Sequence, residues 1–353
     1  MKGHLITVDD GCDQELSVAS IQGLLSSSTD FWLDVASLEE GETESLLAGT
    51  FGFHPLAVED AEHFGQRPKL DSYDGFSLLV VYGSTAPGKL IEVHCFYGEH
   101  YLATVHREPC PELAGLAKRW QQHPAHRAGQ LMLLYRVVDT LVDGFFPALA
   151  ALDDHIDEIE DEILSKPTDE QLGRLFDMKR SLIALRKVVT PERDLFAKLL
   201  SEDDALPGMT EDSERYFRDL YDHLIRISDL VDSYRDLISG ALDTHLATVS
   251  NRLNVVMKQL TIIATVFLPM SFLTGFFGQN FGWMVSRLGG LAVFAGVAVG
   301  LQVVLAAGLI WVFRHRGWLT SDGTVPAAVP AARPAVPRAR RWHVLHSPAP
   351  ERP

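Results

Sequence analysis

The sequence predicts an α/β N-terminal domain, followed by a long helical stalk and two C-terminal transmembrane helices. Three observations support this fold class. Short runs of β-branched and aromatic residues lie close to helical segments in about the first 140 residues. The stretch from Thr210 to Leu268 contains no proline and a single glycine, which permits one helix of about 60 residues. Two uncharged apolar runs follow, and each is long enough to cross a bilayer.

Residues 1–143 are predicted to form the α/β domain. The runs "GFSLLVVYG", "KLIEVHCFYG" and "HYLATVHRE" have the composition of strands and are bounded by glycine or charged residues. The segment "SLEEGETESLLAGTF" has a helical pattern. Strands and helices interspersed in this way are typical of an α/β domain.

Residues 144–208 are predicted to form a helical hairpin. The segment "PALAALDDHIDEIEDEIL" has helical periodicity and ends at the turn "SKPT". Thr168 and Gln171 have the spacing of a capping box, which predicts the start of the next helix. That helix is predicted to run to about Val189, because Pro191 follows.

Residues 209–277 are predicted to form a stalk helix that continues into the first transmembrane helix. Its apolar positions are spaced alternately by four and three residues, which is a heptad seam: Leu220, Leu224, Ile227, Val231, Tyr234, Ile238 and Ala241. A single antiparallel hairpin could also bury such a seam. Because no helix breaker separates the seam from the apolar run, we expect the stalk to pack against copies of itself.

The candidate transmembrane helices are two uncharged stretches, Gln259 to Phe277 and residues 288–313. The alternative is a pair of buried core helices in a soluble protein. Basic residues flank the outer ends of the pair: Arg252, Lys258, Arg314, His315 and Arg316. Only Arg287 lies between the two runs, so the positive-inside rule predicts that both termini are cytoplasmic and that the loop 278–287 is external.

The two ends of the chain add little to the fold. The first 30 residues contain acids and no apolar core of a signal peptide, so we expect the chain to start in the cytoplasm. Residues 314–353 form a basic tail rich in proline and alanine, which we expect to be disordered. The sequence therefore predicts a multi-pass protein of the cell membrane.

Composition limits the partners of the protein. The formal net charge is −16 and the pI is about 5.3, which argues against nucleic acid and suits cations. The three cysteines, Cys12, Cys95 and Cys110, show no CxxC spacing, so neither a disulfide framework nor a structural zinc site is indicated. No P-loop, GxSxG or HExxH motif occurs, and we expect no enzymatic activity.

Polar and apolar residues inside the first span and just before it recur at intervals of three to four residues, if Ile263 or Ala264 and Gly275 are counted with the set, and can share one helix face. We call five of these residues the pore face: Asn254, Met257, Leu260, Leu268 and Ser271. Packing against lipid or a protein core is the alternative, and it would suffice for the aliphatic members. Asn254 and Ser271 favour a wet interior, because polar groups in a span usually face a cavity. In a bundle of copies, Met257 and Leu260 would form apolar constrictions that gate by dewetting.

The loop between the spans begins with Gly278, Gln279 and Asn280. Magnesium dehydrates reluctantly, so an entry site should offer oxygens to the hydrated ion, and a ring of Asn280 amides would do so. A divalent cation gains about 4.6 kcal/mol on moving inward across 100 mV, from about 2.3 per charge. The membrane potential alone could therefore drive uptake.

The residues resemble a known family. The segment "LNVVMKQLTIIATVFLPMSFLTGFFGQNFGWM", the second span and the basic "RHRGWL" are similar to the C-terminal signature of the CorA magnesium/cobalt transporter family. The segments "YFRDLYDHLIRISDLVDSYRDLISGALDTHLATVSNRLN" and "HPLAVEDAEHFGQRPKLDSYDGFSLLVV" resemble its stalk and its N-terminal domain. The resemblance covers roughly residues 50–319 and is most specific from Arg215 onward.

The resemblance implies a funnel-shaped homopentamer with a cytoplasmic α/β domain, one pore-lining helix from each subunit and a second span facing lipid. By position, Gly278 and Asn280 match the signature at the pore entrance, and the pore face matches pore-lining residues. Asp219 matches an acidic residue that binds regulatory magnesium between subunits. Mg²⁺ is thus implied as substrate and regulatory ligand, with no other cofactor.

The sequence departs from the family at three places. Gln279 replaces the usual methionine of the signature, and a sister branch that moves zinc also differs there. The external loop 278–287 contains no acidic residue. In the first domain, "YGSTAPGK" replaces the segment that carries the acidic partner of Asp219.

These observations predict passive, potential-driven uptake of Mg²⁺, with Co²⁺ and Ni²⁺ as incidental substrates. The expected partners are divalent cations, copies of the chain and the lipid bilayer. The first alternative is a zinc importer, with or without proton coupling. The second alternative is a membrane-anchored sensor or scaffold that conducts nothing.

Overall fold

A computed structural model describes residues 2–8, 13–36, 41–86, 88–122, 129–201, 206–279, 282, 286–287 and 290–318. The chain divides into two compact units, Met1–His245 and Leu246–Pro353. The predicted external loop and basic tail lie largely outside the described residues, and Asn280 is among the residues not described.

The first unit contains a mixed seven-stranded sheet. The strand order is β2-β1-β3-β7-β6-β5-β4, and β3 and β7 form its parallel pair. The strands are β1 (Lys2–Thr7), β2 (Asp13–Gln14), β3 (Phe31–Ala36), β4 (Lys69–Tyr73), β5 (Phe76–Ala86), β6 (Lys89–Gly98) and β7 (Tyr101–His106). The three predicted strand runs are confirmed as β5, β6 and β7.

Among the described residues of the first unit, eight helices begin. They are α1 (Val18–Ser26), α2 (Glu42–Leu47), α3 (Pro55–Glu62), α4 (Pro111–Gln122), α5 (Gln130–Asp143), α6 (Phe145–Ser165), α7 (Asp169–Leu199) and α8 (Glu211–Phe277). Nine consecutive residues of β5 are buried, so that strand is covered on both faces. Cys95 and Cys110 are free thiols within this core.

The close packing of α5 and α6 on β5 depends on two glycines. A Cβ atom added at Gly83 of β5 would lie 2.9 Å from the Leu141 carbonyl oxygen of α5. At Gly144, between α5 and α6, a Cβ would overlap the Ser84 carbonyl oxygen. The absence of these side chains lets the C-terminal end of α5 lie directly against the strand.

The predicted capping box is present at the start of α7. The Gln171 backbone N–H donates to Thr168 Oγ1 at 3.4 Å, and the Thr168 N–H donates to Gln171 Oε1 at 2.9 Å. The predicted end near Val189 is wrong, because α7 continues through Pro191 to Leu199. Next to the proline, the buried Glu192 carboxylate accepts the Tyr82 N–H at 3.3 Å, which ties this turn to β5.

The predicted long helix is confirmed as α8, whose 67 residues include the proline at 269. Its heptad seam is covered by the chain itself: Leu220, Leu224, Ile227, Val231, Tyr234, Ile238 and Ala241 are all at most 4% exposed. Just before the seam, the Phe217 ring stacks on Phe196 of α7 at 6.4 Å between ring centroids, so α7 lies against this part of α8. The expectation that the seam packs against copies of the chain is therefore wrong, since one chain already buries it.

The second unit contains the C-terminal part of α8 and a second apolar helix. The latter comprises α9 (Leu291–Val293), a π-helical segment (Phe294–Val299) and α10 (Gly300–His315). By length and composition, Glu211–Phe277 and Leu291–His315 are candidate membrane spans. The most apolar stretch of each is not buried, unlike the core helices of the alternative interpretation.

Candidate functional site

The five residues of the pore face lie on one unbroken helix. At about 100° per residue, they fall within an arc of about 120° around α8. All five are exposed in the single chain, and Leu268 is the most exposed of the three apolar members at 75%. The structure therefore gathers the predicted residues on one open face.

A different side of α8 contacts α10. Gln302 Nε2 donates to Thr274 Oγ1 at 3.0 Å, and the Thr274 hydroxyl donates to the Met270 carbonyl at 2.9 Å. Thr274 lies about 100° from the middle of the pore face. Sequence analysis missed Gln302, although an isolated amide within an apolar span is a signal for such a contact.

The loop signature begins directly after α8. The Gly278 N–H donates to the Thr274 carbonyl at 2.9 Å, and the Gln279 N–H donates to the Phe276 carbonyl at 3.3 Å. A Cβ at Gly278 would lie 3.0 Å from the Thr274 carbonyl oxygen, so the last turn leaves little space for a side chain. Gly278 and Gln279 are both exposed.

A second group of potential ligand residues lies around the predicted regulatory residue Asp219. Asp139 and Asp143 are one turn apart on α5, and Asp219 and His223 are one turn apart on α8. We call these four residues the Asp–His cluster. Candidate ligand atoms of Asp139, Asp143 and His223 all lie within 4.8 Å of one another. Asp219 is a peripheral member, with its Oδ2 4.0 Å from His223 Nε2.

The imidazole of His223 lies between acidic groups. Its Nδ1 is buried, lies 3.9 Å from Asp143 Oδ1 and makes no hydrogen bond to any described residue. The Phe146 ring packs edge-on against it at 5.8 Å between centroids. Imidazole nitrogen suits Co²⁺, Ni²⁺ and Zn²⁺, whereas carboxylate oxygen suits Mg²⁺. The donor set could therefore hold a divalent cation of either kind.

The electrostatics of the cluster favour added positive charge. Partial burial and the nearby Asp143 carboxylate raise the pKa of Asp139 to about 6. The pKa of Asp143 is also raised, through partial burial and the charge of Asp219, and His223 opposes this shift. A bound cation would stabilise the ionised carboxylates and so lower the pKa values of Asp139 and Asp143.

Sequence analysis identified Asp219 but missed Asp139, Asp143 and His223. The signal available was the spacing of four residues within each pair, which puts both members on one helix face. Nothing in that spacing indicates that the two helices meet. The sequence offers no acidic partner for Asp219 at "YGSTAPGK"; the described residues instead bring Asp139 and Asp143 of α5 to His223, which lies 4.0 Å from Asp219.

The family model described as "CorA-like Mg2+ transporter protein" matches residues 29–315, which include both candidate sites. The chain belongs to this CorA-like family. The YfjQ protein of Bacillus subtilis (strain 168) is 35% identical over 82% of this chain and 89% of its own length. The cobalt/magnesium transport protein CorA of Thermotoga maritima is 33% identical over 86% of this chain and 87% of its own.

Zinc transport proteins are also related to this CorA-like chain. The zinc transport protein ZntB of Enterobacter sp. (strain 638) is 29% identical over 72% of this chain and 77% of its own length. Among solved structures, CorA of Methanocaldococcus jannaschii matches with a TM-score of 0.73, covering 82% of this chain and 92% of that one at 21% identity. The match to this solved structure supports the fold of the chain.

Family membership makes the chain a CorA-family divalent metal transporter. Members of the CorA-like family are transporters and membrane proteins, in agreement with the two candidate spans.

Proposed function

We propose that the protein is a passive channel for Mg²⁺ uptake, with Co²⁺ and Ni²⁺ as incidental substrates. One observation carries the proposal. The unbroken helix α8 bears Asp219 near its start, the pore face in its apolar part and Gly278 directly after its end. A single element thus connects a candidate cation sensor with a candidate pore.

In this mechanism, the hydrated ion first meets the carboxamides of Gln279 and Asn280 at an external mouth. It then passes the pore face, where Met257 and Leu260 form apolar constrictions and Asn254 offers a polar ring. Five copies would surround the axis, with both termini in the cytoplasm of a cell-membrane protein. The membrane potential supplies about 4.6 kcal/mol per 100 mV for a divalent ion.

Cytoplasmic Mg²⁺ closes the pore in this mechanism. A cation bound at the Asp–His cluster, with Asp219 bridging to a neighbouring copy, neutralises carboxylates that otherwise repel one another. When the cation leaves, the repulsion returns and favours separation of the copies. Internal Mg²⁺ therefore limits its own entry.

Zinc import is the second candidate function. The relationship to ZntB, the Gln279 substitution and the imidazole of His223 in the cluster all favour it. A zinc importer would use the same α8 face and could couple uptake to a proton gradient.

Reconstituted vesicles provide the test. We expect Mg²⁺ flux that follows the membrane potential, that exceeds Zn²⁺ flux and that falls at least tenfold in Asn280→Ala. A matched amide control is Asn251→Ala, on α8 just before the pore face. Zinc flux driven by a pH gradient would instead support the importer, and uptake unchanged by Asn280→Ala would support a non-conducting scaffold.

A further inference from the structure

A large cavity in the first unit is separate from the Asp–His cluster. It lies between the Gly65–Arg67 loop, α7 and α8, and has a volume of about 710 Å³. That volume is in the range of sites for small organic ligands. Much of its wall is apolar, with contributions from Leu182, Val188 and Val231.

The loop on one side of the cavity is held in place by buried polar groups. The Glu92 carboxylate accepts the Gly65 N–H at 2.5 Å and the Gln66 N–H at 3.1 Å. The Tyr82 hydroxyl donates to the Gln66 carbonyl at 2.5 Å. These bonds fix the backbone before Arg67, so its position at the cavity edge is preorganised.

Four cationic side chains line this cavity: Arg67, Arg186, Lys187 and Arg235. Asp232 lies 3.4 Å from both Arg186 and Arg235 and offsets part of their charge. In the described part of the chain, Arg67 and Lys187 form no ion pair. A concentration of positive charge is unusual in a protein of net charge −16.

Two carboxyl groups, Glu192 and Glu92, lie near the cavity and differ in their charge. Burial raises the pKa of Glu192 well above its usual range, which favours its neutral form. Burial raises the pKa of Glu92, but hydrogen bonds from His94 Nε2 at 2.8 Å and from the loop N–H groups outweigh it and lower the pKa, so this carboxylate is ionised and its oxygens already accept these donors. The cavity thus combines an apolar wall with two cations that have no anionic partner among the described residues.

We propose that this cavity binds a nucleoside polyphosphate, with its base against the apolar wall and its phosphates at Arg67 and Lys187. Arginine recognises phosphate through paired donors, and lysine adds a compact charge. An inorganic anion would leave the apolar wall uncovered, whereas an uncharged nucleoside would leave the two cations unpaired. The proposal concerns a second ligand and does not depend on which cation is transported.

The test measures binding of labelled ATP to the purified full-length protein in detergent, by equilibrium dialysis without added divalent ions. We expect saturable binding, at least tenfold weaker binding in Arg67→Ala/Lys187→Ala and no change in Lys198→Ala. Lys198 is exposed on the same helix and does not line the cavity. Tripolyphosphate and adenosine should each bind at least tenfold more weakly than ATP.

A second variant tests the cavity without changing its charge. Ile183→Trp replaces a wall residue that is 46% exposed, and the larger ring should reduce the space for the base. We expect ATP affinity to fall at least tenfold while the apparent Tm stays within a few degrees. No saturable binding at millimolar ATP, or equal binding by tripolyphosphate, would overturn the proposal. So would charge variants that change only the oligomeric state, since the cavity would then be an interface between copies.

Discussion

Asp139 is the cluster carboxyl whose ionisation should respond most to a bound cation. Its pKa in the folded chain is about 6, against an ordinary value of 3.8. Folding therefore takes up a proton between these values, and the stability that Asp139 contributes is lost as the pH rises through about 6. At higher pH, a divalent cation should restore stability by pairing with the ionised group.

Replacing Asp139 by asparagine should remove this repulsion. We expect Asp139→Asn to raise the apparent Tm at pH 7.5 in EDTA and to reduce the stabilisation by Mg²⁺ or Co²⁺. Thermal unfolding between pH 5 and 8, with and without cation, measures both effects. Asp229→Asn is the control, since Asp229 is exposed on α8 outside the cluster. An identical cation response in both variants would contradict a metal centre at Asp139.

Gly278 tests the turn that precedes the external loop. Gly278→Ala puts a methyl group 3.0 Å from the Thr274 carbonyl oxygen, so the last turn of α8 must shift. We expect ion flux to fall at least tenfold, while cation binding at the cluster is retained. Gly240→Ala is the control on the same helix, because its Cβ meets no heavy atom within 4 Å. Wild-type flux in Gly278→Ala would show that the turn tolerates a side chain.

The heptad seam of α8 is part of the hydrophobic core of a single chain. We expect Ile227→Ala to destabilise the protein by about 2–5 kcal/mol, because Ile227 is fully buried. Leu246→Ala, at a site 62% exposed, should cost about 0.5 kcal/mol or less. Denaturant unfolding followed by tryptophan fluorescence gives both values. Equal effects would mean that the seam is not packed within the chain.

Patterns among neighbouring residues predicted the start of one helix, whereas its end and the strand order depend on contacts between residues far apart in the sequence. Thr168 and Gln171 predicted the start of α7, because a capping box depends on neighbouring residues alone. The extension through Pro191 could not be predicted, since the contact of Glu192 with Tyr82 joins residues 110 positions apart. The sheet order also could not be predicted, because strand composition does not specify pairing.

In the candidate sites, too, local patterns were predictable and contacts between distant residues were not. That the five pore-face residues share one side of α8 could be predicted, because they follow one helical period, whereas their lining of a pore stays a prediction. Asp219 was identified through a family resemblance, whereas Asp139 and Asp143 converge on it through the packing of α5. Gly83 lets α5 lie close to β5, but in the sequence it appears only as the glycine ending a strand run.

For the whole molecule, removal of divalent cations should change resistance to proteolysis. We expect millimolar Mg²⁺ to protect the full-length protein and EDTA to abolish that protection. Asp219→Ala should require a several-fold higher Mg²⁺ concentration, because one carboxylate of the cluster is lost. Asp243→Ala, an exposed change on the same helix, should behave as wild type. Limited proteolysis across a Mg²⁺ titration measures the Mg²⁺ concentration that protects each variant. Unaltered protection in Asp219→Ala would exclude that residue from the gate.

The two buried cysteines make the protein convenient for site-directed labelling. Burial raises the pKa of the Cys110 thiol to about 12, and it also raises that of Cys95. Reagents that need a thiolate should therefore react slowly at both positions. Once Cys12 is replaced by serine, a single reporter cysteine at Leu268 could carry a spin label or fluorophore. Movement of the pore face could then be followed spectroscopically while the interior thiols remain native.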